Sequence, residues 1–196
     1  MKDLELYLNP ICVPIIRDWI KRFHVKIVLT KMHKTRMGVF IPKSKGLNLI
    51  RINRDHNRYR FLITLVHELA HASIWNQYSN SVRPHGIEWK QEFSSLMQPF
   101  LNETFFDKDV LNALTIYLKN PLSSTSRDVV LSELLMNHDK CKKNLLIKNL
   151  NDGDIFKTLD GRLFKRISKL RKNYRCVEVS TNIEYRFPPL IEIVLL

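Results

Sequence analysis

The apolar positions of this chain follow a helical period in its first two thirds and an alternating period after residue 150. Ile15, Ile16, Trp19, Ile20 and Phe23 form one stripe, and Pro14 suits a first turn, so the pattern predicts a helix over Pro14 to Phe23. Val25 to Leu29 reads as a strand. Gly38 to Pro42 and Leu47 to Asn53 read as a hairpin, with Leu47, Leu49 and Ile52 facing inward. Leu62, Leu65, Val66, Leu69, Ala70 and Ile74 then recur at helical spacing without Gly or Pro, which predicts a long helix from Tyr59 to Asn76, capped by Asp55 or Asn57. Further helices are predicted over Ile87 to Leu101, Asp107 to Lys119, and from Ser126 or Asp128 to about Met136.

From Asn151 the pattern is that of strands. Ile155 to Leu159 and Arg162 to Ile167 flank Asp160-Gly161, a two-residue hairpin signal. Tyr174 to Val179, Ile183 to Phe187 and Leu190 to Leu195 complete a small barrel or rolled sheet. The expected organisation is α+β: a mixed domain over 1–122, a helical linker over 123–150, and an all-β module over 151–196.

The longest predicted helix carries His67-Glu68-Leu69-Ala70-His71. Histidines four residues apart stand one above the other on a helix face, so two neutral imidazoles can grip one Zn²⁺. A Glu directly after the first ligand is placed to take a proton from water at the metal. A catalytic zinc site needs a third protein ligand and an open fourth position. His85, in Arg83-Pro84-His85-Gly86-Ile87-Glu88-Trp89, is the favoured third ligand, and Glu92 is its rival. Glu88 and Glu92 are also placed to hydrogen-bond the ligating imidazoles. The metzincin pattern fails, because Ile74 and Gln77 stand where it needs Gly and His. His24, His33, His56 and His138 read as surface or loop residues.

HELAHA, a short loop and HGIEWK together resemble the SprT-like metallopeptidases, a family that includes the DNA-repair protease Spartan. The matching motifs lie within Leu47 to Leu101. The resemblance implies a zincin-like fold and a zinc metalloendopeptidase, with His67, His71 and His85 as ligands of one zinc and Glu68 as general base. It also implies that the strand before the metal helix, Asn48 to Asn53, lies along the cleft and pairs with extended substrate, such as a segment of a DNA-bound protein. Many members end in a zinc ribbon held by four cysteines; only Cys176 stands in this C-terminal module, so a second, structural zinc is not expected.

Composition adds a partner and a compartment. The net charge is +13 and uneven: residues 1–66 hold 14 basic and 4 acidic residues, 67–140 hold 6 and 9, and 141–196 hold 12 and 6. Basic flanks around a mildly acidic middle fit a polyanion such as nucleic acid. The expected contacts are Lys169, Arg171, Lys172 and Arg175, with Phe164 or Tyr174 stacking on unpaired bases if exposed, and a basic loop at Lys31, Lys34 and Arg36 as a lesser candidate. The competing function is therefore a nucleic-acid-binding protein with a structural or idle zinc; an intact Glu68 argues against it. Cys12, Cys141 and Cys176 are scattered and odd in number, which fits free thiols in a reducing compartment. There is no signal-peptide pattern and no apolar run of membrane length, so a cytoplasmic monomer is expected.

Overall fold

The structure is a computed structural model that describes residues 2–31, 37–54, 57–139 and 145–196. Lys34 and Arg36 of the basic loop, His33, His56, the alternative cap Asp55, and Cys141 lie outside the described residues. The architecture is α+β, and the chain divides into two compact units, 1–140 and 141–196.

The first unit is built on a helix, α2 (Arg58–Tyr78), and a three-stranded sheet of β1 (Val25–Thr30), β2 (Gly38–Ile41) and β3 (Asn48–Asn53). Asn57 caps α2, its Oδ1 accepting the Arg60 N–H at 2.9 Å. Of the 21 residues of α2, 14 are buried, so the helix is covered on nearly all sides rather than lying on a surface. Its start is pinned by polar contacts: Asn57 Nδ2 donates to the Leu135 carbonyl and to Asp139, and the Tyr59 hydroxyl donates to Asp107 at 2.6 Å. His138 closes the same network, its Nε2 at 3.1 Å from Asp107. Packed around this axis are α1 (Val13–Arg22), α3 (Ile87–Met97), α4 (Lys108–Leu118) and α5 (Val129–Met136). Asp128 caps α5 through the Leu131 N–H at 2.9 Å. On α4, Ile116 is exposed and Tyr117 takes the buried position beside Leu118.

The strand order is β1-β3-β2, with β3 parallel to β1 and antiparallel to β2. Two expectations fail here. The inward face of β3 is Asn48, Ile50 and Ile52, not Leu47 and Leu49; Ile50 and Ile52 are fully buried while Leu47 is exposed. Ile52 faces inward as expected, and because side chains alternate between faces Leu47 and Leu49 cannot share its side of the strand. Asn48 tolerates burial because its Oδ1 accepts the Lys43 N–H at 2.9 Å and closes the hairpin. Second, β3 is the central strand and both its edges are used, so Asn48 to Asn53 has no edge to offer a substrate. The outer strands are β1 and β2.

The segment 123–150 is not a linker. Leu131 and Leu135 of α5 belong to the first core, whereas Ile147 and Leu150 belong to the second. That second unit is one antiparallel sheet of β4 (Leu145–Leu146), β5 (Ile155–Thr158), β6 (Leu163–Lys169), β7 (Tyr174–Glu178), β8 (Glu184–Phe187) and β9 (Glu192–Leu195). The order β4-β9-β5-β6-β7-β8 leaves β4 and β8 as open edges, a rolled sheet rather than a closed barrel. Its core is aromatic: Phe164 packs on Phe156, Tyr185 and Phe187 with centroids 4.9–5.8 Å apart. Cys176 is fully buried there, and burial pushes its thiol up to about 11.

Arg166 is part of this interior and not of a basic surface. Its guanidinium lies over the Tyr174 ring at 4.2 Å, donates to the carbonyls of Leu150 and Ile147, and pairs with Asp152 at 3.0 Å. Arg166→Ala strips those carbonyls of a charged donor and leaves a hole beside Tyr174. The expected loss is roughly 2–4 kcal/mol in this unit, read from thermal or urea unfolding. A loss below about 0.5 kcal/mol, the level of an ordinary surface change, would contradict the role given to it.

Candidate metal centre

The three histidines singled out by their spacing meet in space. His67 and His71 stand one turn apart on α2, and His85 is brought to them by the turn that starts α3. In that turn the Gly86 N–H donates to the Arg83 carbonyl at 2.9 Å, with Pro84 and His85 between. Pro84 presets its own φ, and His85 takes a positive φ of 59°, the pattern of a type II turn. Gly86 is needed for room rather than for its dihedral: a Cβ there would lie 2.9 Å from the Arg83 carbonyl oxygen. The short turn therefore fixes both the ligand and the helix start.

The Nε2 of His85 lies 3.0 Å from that of His71 and 3.3 Å from that of His67. Zinc–nitrogen bonds of about 2.0–2.1 Å at tetrahedral angles put ligand nitrogens roughly 3.3–3.4 Å apart, so this donor set fits Zn²⁺. All three imidazoles have their pKa lowered, His67 well below its usual value and His71 to about 3, mainly by burial. Mutual repulsion adds to the shift at His67 and His71. Neutral rings present lone pairs, which is the state a cation needs.

The ligands are held by aromatic packing rather than by carboxylates. Trp89 lies within 4.6–5.2 Å of all three imidazole centroids and stacks on Phe93 at 5.1 Å, and Phe93 also touches His67. Trp89 Nε1 is buried with no acceptor among the described residues, a cost of roughly 1–3 kcal/mol that the ring packing must offset. Among the described residues neither Glu88 nor Glu92 hydrogen-bonds a ligand imidazole, so the expected carboxylate support is replaced by these rings. Glu92, the rival ligand, instead accepts from Ser73 Oγ at 2.6 Å. It borders a groove with Ile74, Gln77, Tyr78, Glu88 and Gln91.

Glu68 lies against β2. It is buried, and burial raises its carboxyl to about 8, while the Phe40 N–H acts in the opposite sense by donating to it. Gly38 is what lets the strand come so close: a Cβ there would lie 2.8 Å from Thr64 Cγ2 and 2.9 Å from Glu68 Oε1. The ladder tells which way β2 presents its backbone. The Asn53 N–H donates to the Met37 carbonyl, so 37/53, 39/51 and 41/49 are the hydrogen-bonded pairs. The backbone groups of Gly38 and Phe40 therefore point outward from the sheet, towards Glu68. The sequence pattern missed this partnership, and its only trace was a glycine at the start of a strand.

The basic nucleic-acid candidates lie around one turn, but the aromatic ones do not join them. Lys169, Arg171 and Lys172 are exposed around the β6–β7 turn, but Arg175 is engaged with Glu184 at 3.7 Å. Phe164 and Tyr174 are buried in the sheet and have no face for a base. No helix among the described residues is long and apolar enough to cross a membrane.

Among known proteins, the chain is 22% identical to the tubulin gamma chain of the Guillardia theta nucleomorph over 163 residues, 83% of this chain. It spans 38% of that relative's length, and a likeness of this level carries no statement about activity. No solved structure matches the chain. The model of the SprT-like family matches residues 15–109, just under half of the chain, and this stretch contains the whole triad, Glu68 and β2 and supports the resemblance to that family.

Proposed function

We propose that this chain is a zinc-dependent endopeptidase with a zincin-like catalytic unit, acting on extended protein segments. The observation that carries the proposal is the convergence of three neutral imidazole nitrogens, with the buried Glu68 next to His67 on the same helix and hydrogen-bonded to β2, an outer strand of the sheet. His67, His71 and His85 would hold the ion. Bound Zn²⁺ supplies Lewis acidity and brings the pKa of water down towards about 7. Glu68, buried and next in sequence to His67, is suited to accept a proton from the attacking water and to return it to the leaving amine. The Phe40 N–H keeps that carboxylate oriented, and a dication nearby favours its ionised form in the same sense. The outer edge of β2 replaces β3 as the strand on which an extended substrate would align.

The test compares wild type with Glu68→Gln on a loosely folded protein substrate and on a quenched peptide. The expected result is loss of hydrolysis by at least about 10³-fold with the zinc content unchanged. Equal cutting by both proteins would dismiss Glu68 as the base, and no cutting by either, with or without DNA, would favour a metal-binding protein that is not a peptidase.

Contact with nucleic acid, proposed from charge, rests on Lys169, Arg171 and Lys172 without base stacking. Its expected signature is affinity that falls steeply with salt and does not distinguish single from double strands. Anisotropy of labelled oligonucleotides across a salt series checks it, and a marked preference for single strands would point to exposed aromatic residues that these lysines and arginines do not include.

A further inference from the structure

The two faces of the C-terminal sheet differ. All its aromatic residues and Arg166 belong to the inner face. The opposite face is read from the register. Val194 of β9 is opposite Lys157 of β5, which is opposite Leu163 of β6. One row along, Ile155 is opposite Lys165, which is opposite Val177 of β7, and the row ends on Glu184 of β8, the partner of Arg175. Opposed side chains on one face sit about 4.5–5.5 Å apart at Cβ, so lysines and aliphatic side chains alternate in a continuous checkerboard. Ile155 is 43% exposed and Val194 47%, and no segment described within this unit covers them.

The charges of this unit are unbalanced in a directed way. Its carboxylates are used internally: Asp152 pairs with Arg166, Asp160 and Glu178 with Arg162, and Glu184 with Arg175. Asp154 accepts the Asn151 N–H, and Glu192 also has a partner. Lys157 and Lys165 have none among the described residues. The face thus has unneutralised cations set among aliphatic side chains, and no ring for a base to stack on.

We propose that this outer face is a docking surface for an acidic protein segment bearing aliphatic side chains. Charge complementarity selects the sign of the partner. The aliphatic half of the checkerboard selects protein over nucleic acid, because a phosphate backbone gains nothing from Ile155, Leu163 or Val194 and ordinarily recruits aromatic stacking as well. A second copy of this chain is disfavoured by its net charge of +13. The surface belongs to the second unit and the metal centre to the first, and the proposal stands whether or not the chain is a peptidase.

The test uses the full chain carrying Glu68→Gln, so that a peptide probe stays intact. The probe is a fluorescein-labelled peptide alternating Glu or Asp with Val or Leu, measured by anisotropy. A peptide with Lys in place of the acids and an oligo-dT of equal charge serve for comparison. Charge reversal at Lys157 and Lys165, and separately Ile155→Ser with Val194→Ser, should each weaken binding of the acidic peptide by about tenfold or more. Circular dichroism and melting of each variant show that the sheet is retained, as expected for exposed positions. Tighter binding of oligo-dT than of the peptide, insensitive to the serine pair, would make the face a nucleic-acid surface and overturn the proposal. So would peptide binding unaffected by all four substitutions. A concentration-dependent dimer that the serine pair abolishes, seen in sedimentation, would overturn it too and reassign the face to self-association.

Discussion

His71→Ala and His85→Ala should each lower zinc affinity by at least about 10³-fold, whereas Glu92→Gln should leave it unchanged. The reasoning is geometric. The Nε2 atoms of His71 and His85 are 3.0 Å apart and that of His67 is 3.3 Å from His85, so each ring occupies one corner of a site with no spare donor among the described residues. Glu92 cannot step in without giving up its contact with Ser73 at 2.6 Å. Metal analysis after dialysis against a graded chelator reads the effect directly. Circular dichroism separates loss of the ion from loss of the fold. Zinc retained at full stoichiometry by His85→Ala would move the third ligand elsewhere, and Glu92 would be the first residue to re-examine.

Gly38→Ala should reduce turnover by about 10–100-fold with the zinc content unchanged. The added methyl would sit 2.8 Å from Thr64 Cγ2 and 2.9 Å from Glu68 Oε1, closer than real Cβ contacts come. Thr64 is β-branched and buried on a helix, so it has little freedom to yield. Either β2 lifts or Glu68 turns aside, and both outcomes break the bond from the Phe40 N–H. Misplacement of a proton-transfer group by about 1 Å is enough for an effect of this size. Steady-state kinetics on a quenched peptide, together with zinc stoichiometry, checks it. Turnover within twofold of wild type would show that the strand's approach is not what positions Glu68.

How much of this is legible in the sequence differs from element to element. The helix bearing His67 and His71 is readable because its apolar positions and its two histidines share one local period. His85 is readable because Pro84 and Gly86 mark a turn, and the turn is where a ligand is fixed. Strand order is not readable: that β3 lies between β1 and β2 depends on pairing between segments far apart in sequence, about which local pattern is silent. The inward face of β3 is misassigned because Leu47, Leu49, Ile50 and Ile52 are all apolar, and alternation cannot choose between two apolar faces. Phe164 and Tyr174 pass for surface residues because basic neighbours surround them in sequence, and only the folded sheet separates its two faces. Arg166 is hidden for a related reason. Composition counts an arginine as exposed unless a partner is visible, and Asp152 and the carbonyls of Ile147 and Leu150 become partners only once the sheet forms.

The turn at His85 has a consequence for the polymer as a whole. An ion shared by His71 and His85 is a crosslink that closes the chain between them, much as a disulfide would. The loop so closed contains the exposed residues 76–81. Closure entropy grows only with the logarithm of loop length, so doubling this loop would cost about 0.6 kcal/mol. The ion and its ligands would stay in place through insertions after Ser79, whereas a single residue added between Pro84 and Ile87 would swing the imidazole off the triad. Tolerance of length on one side of the turn and intolerance on the other is how a variable connection and a fixed metal site can share roughly fifteen residues of chain.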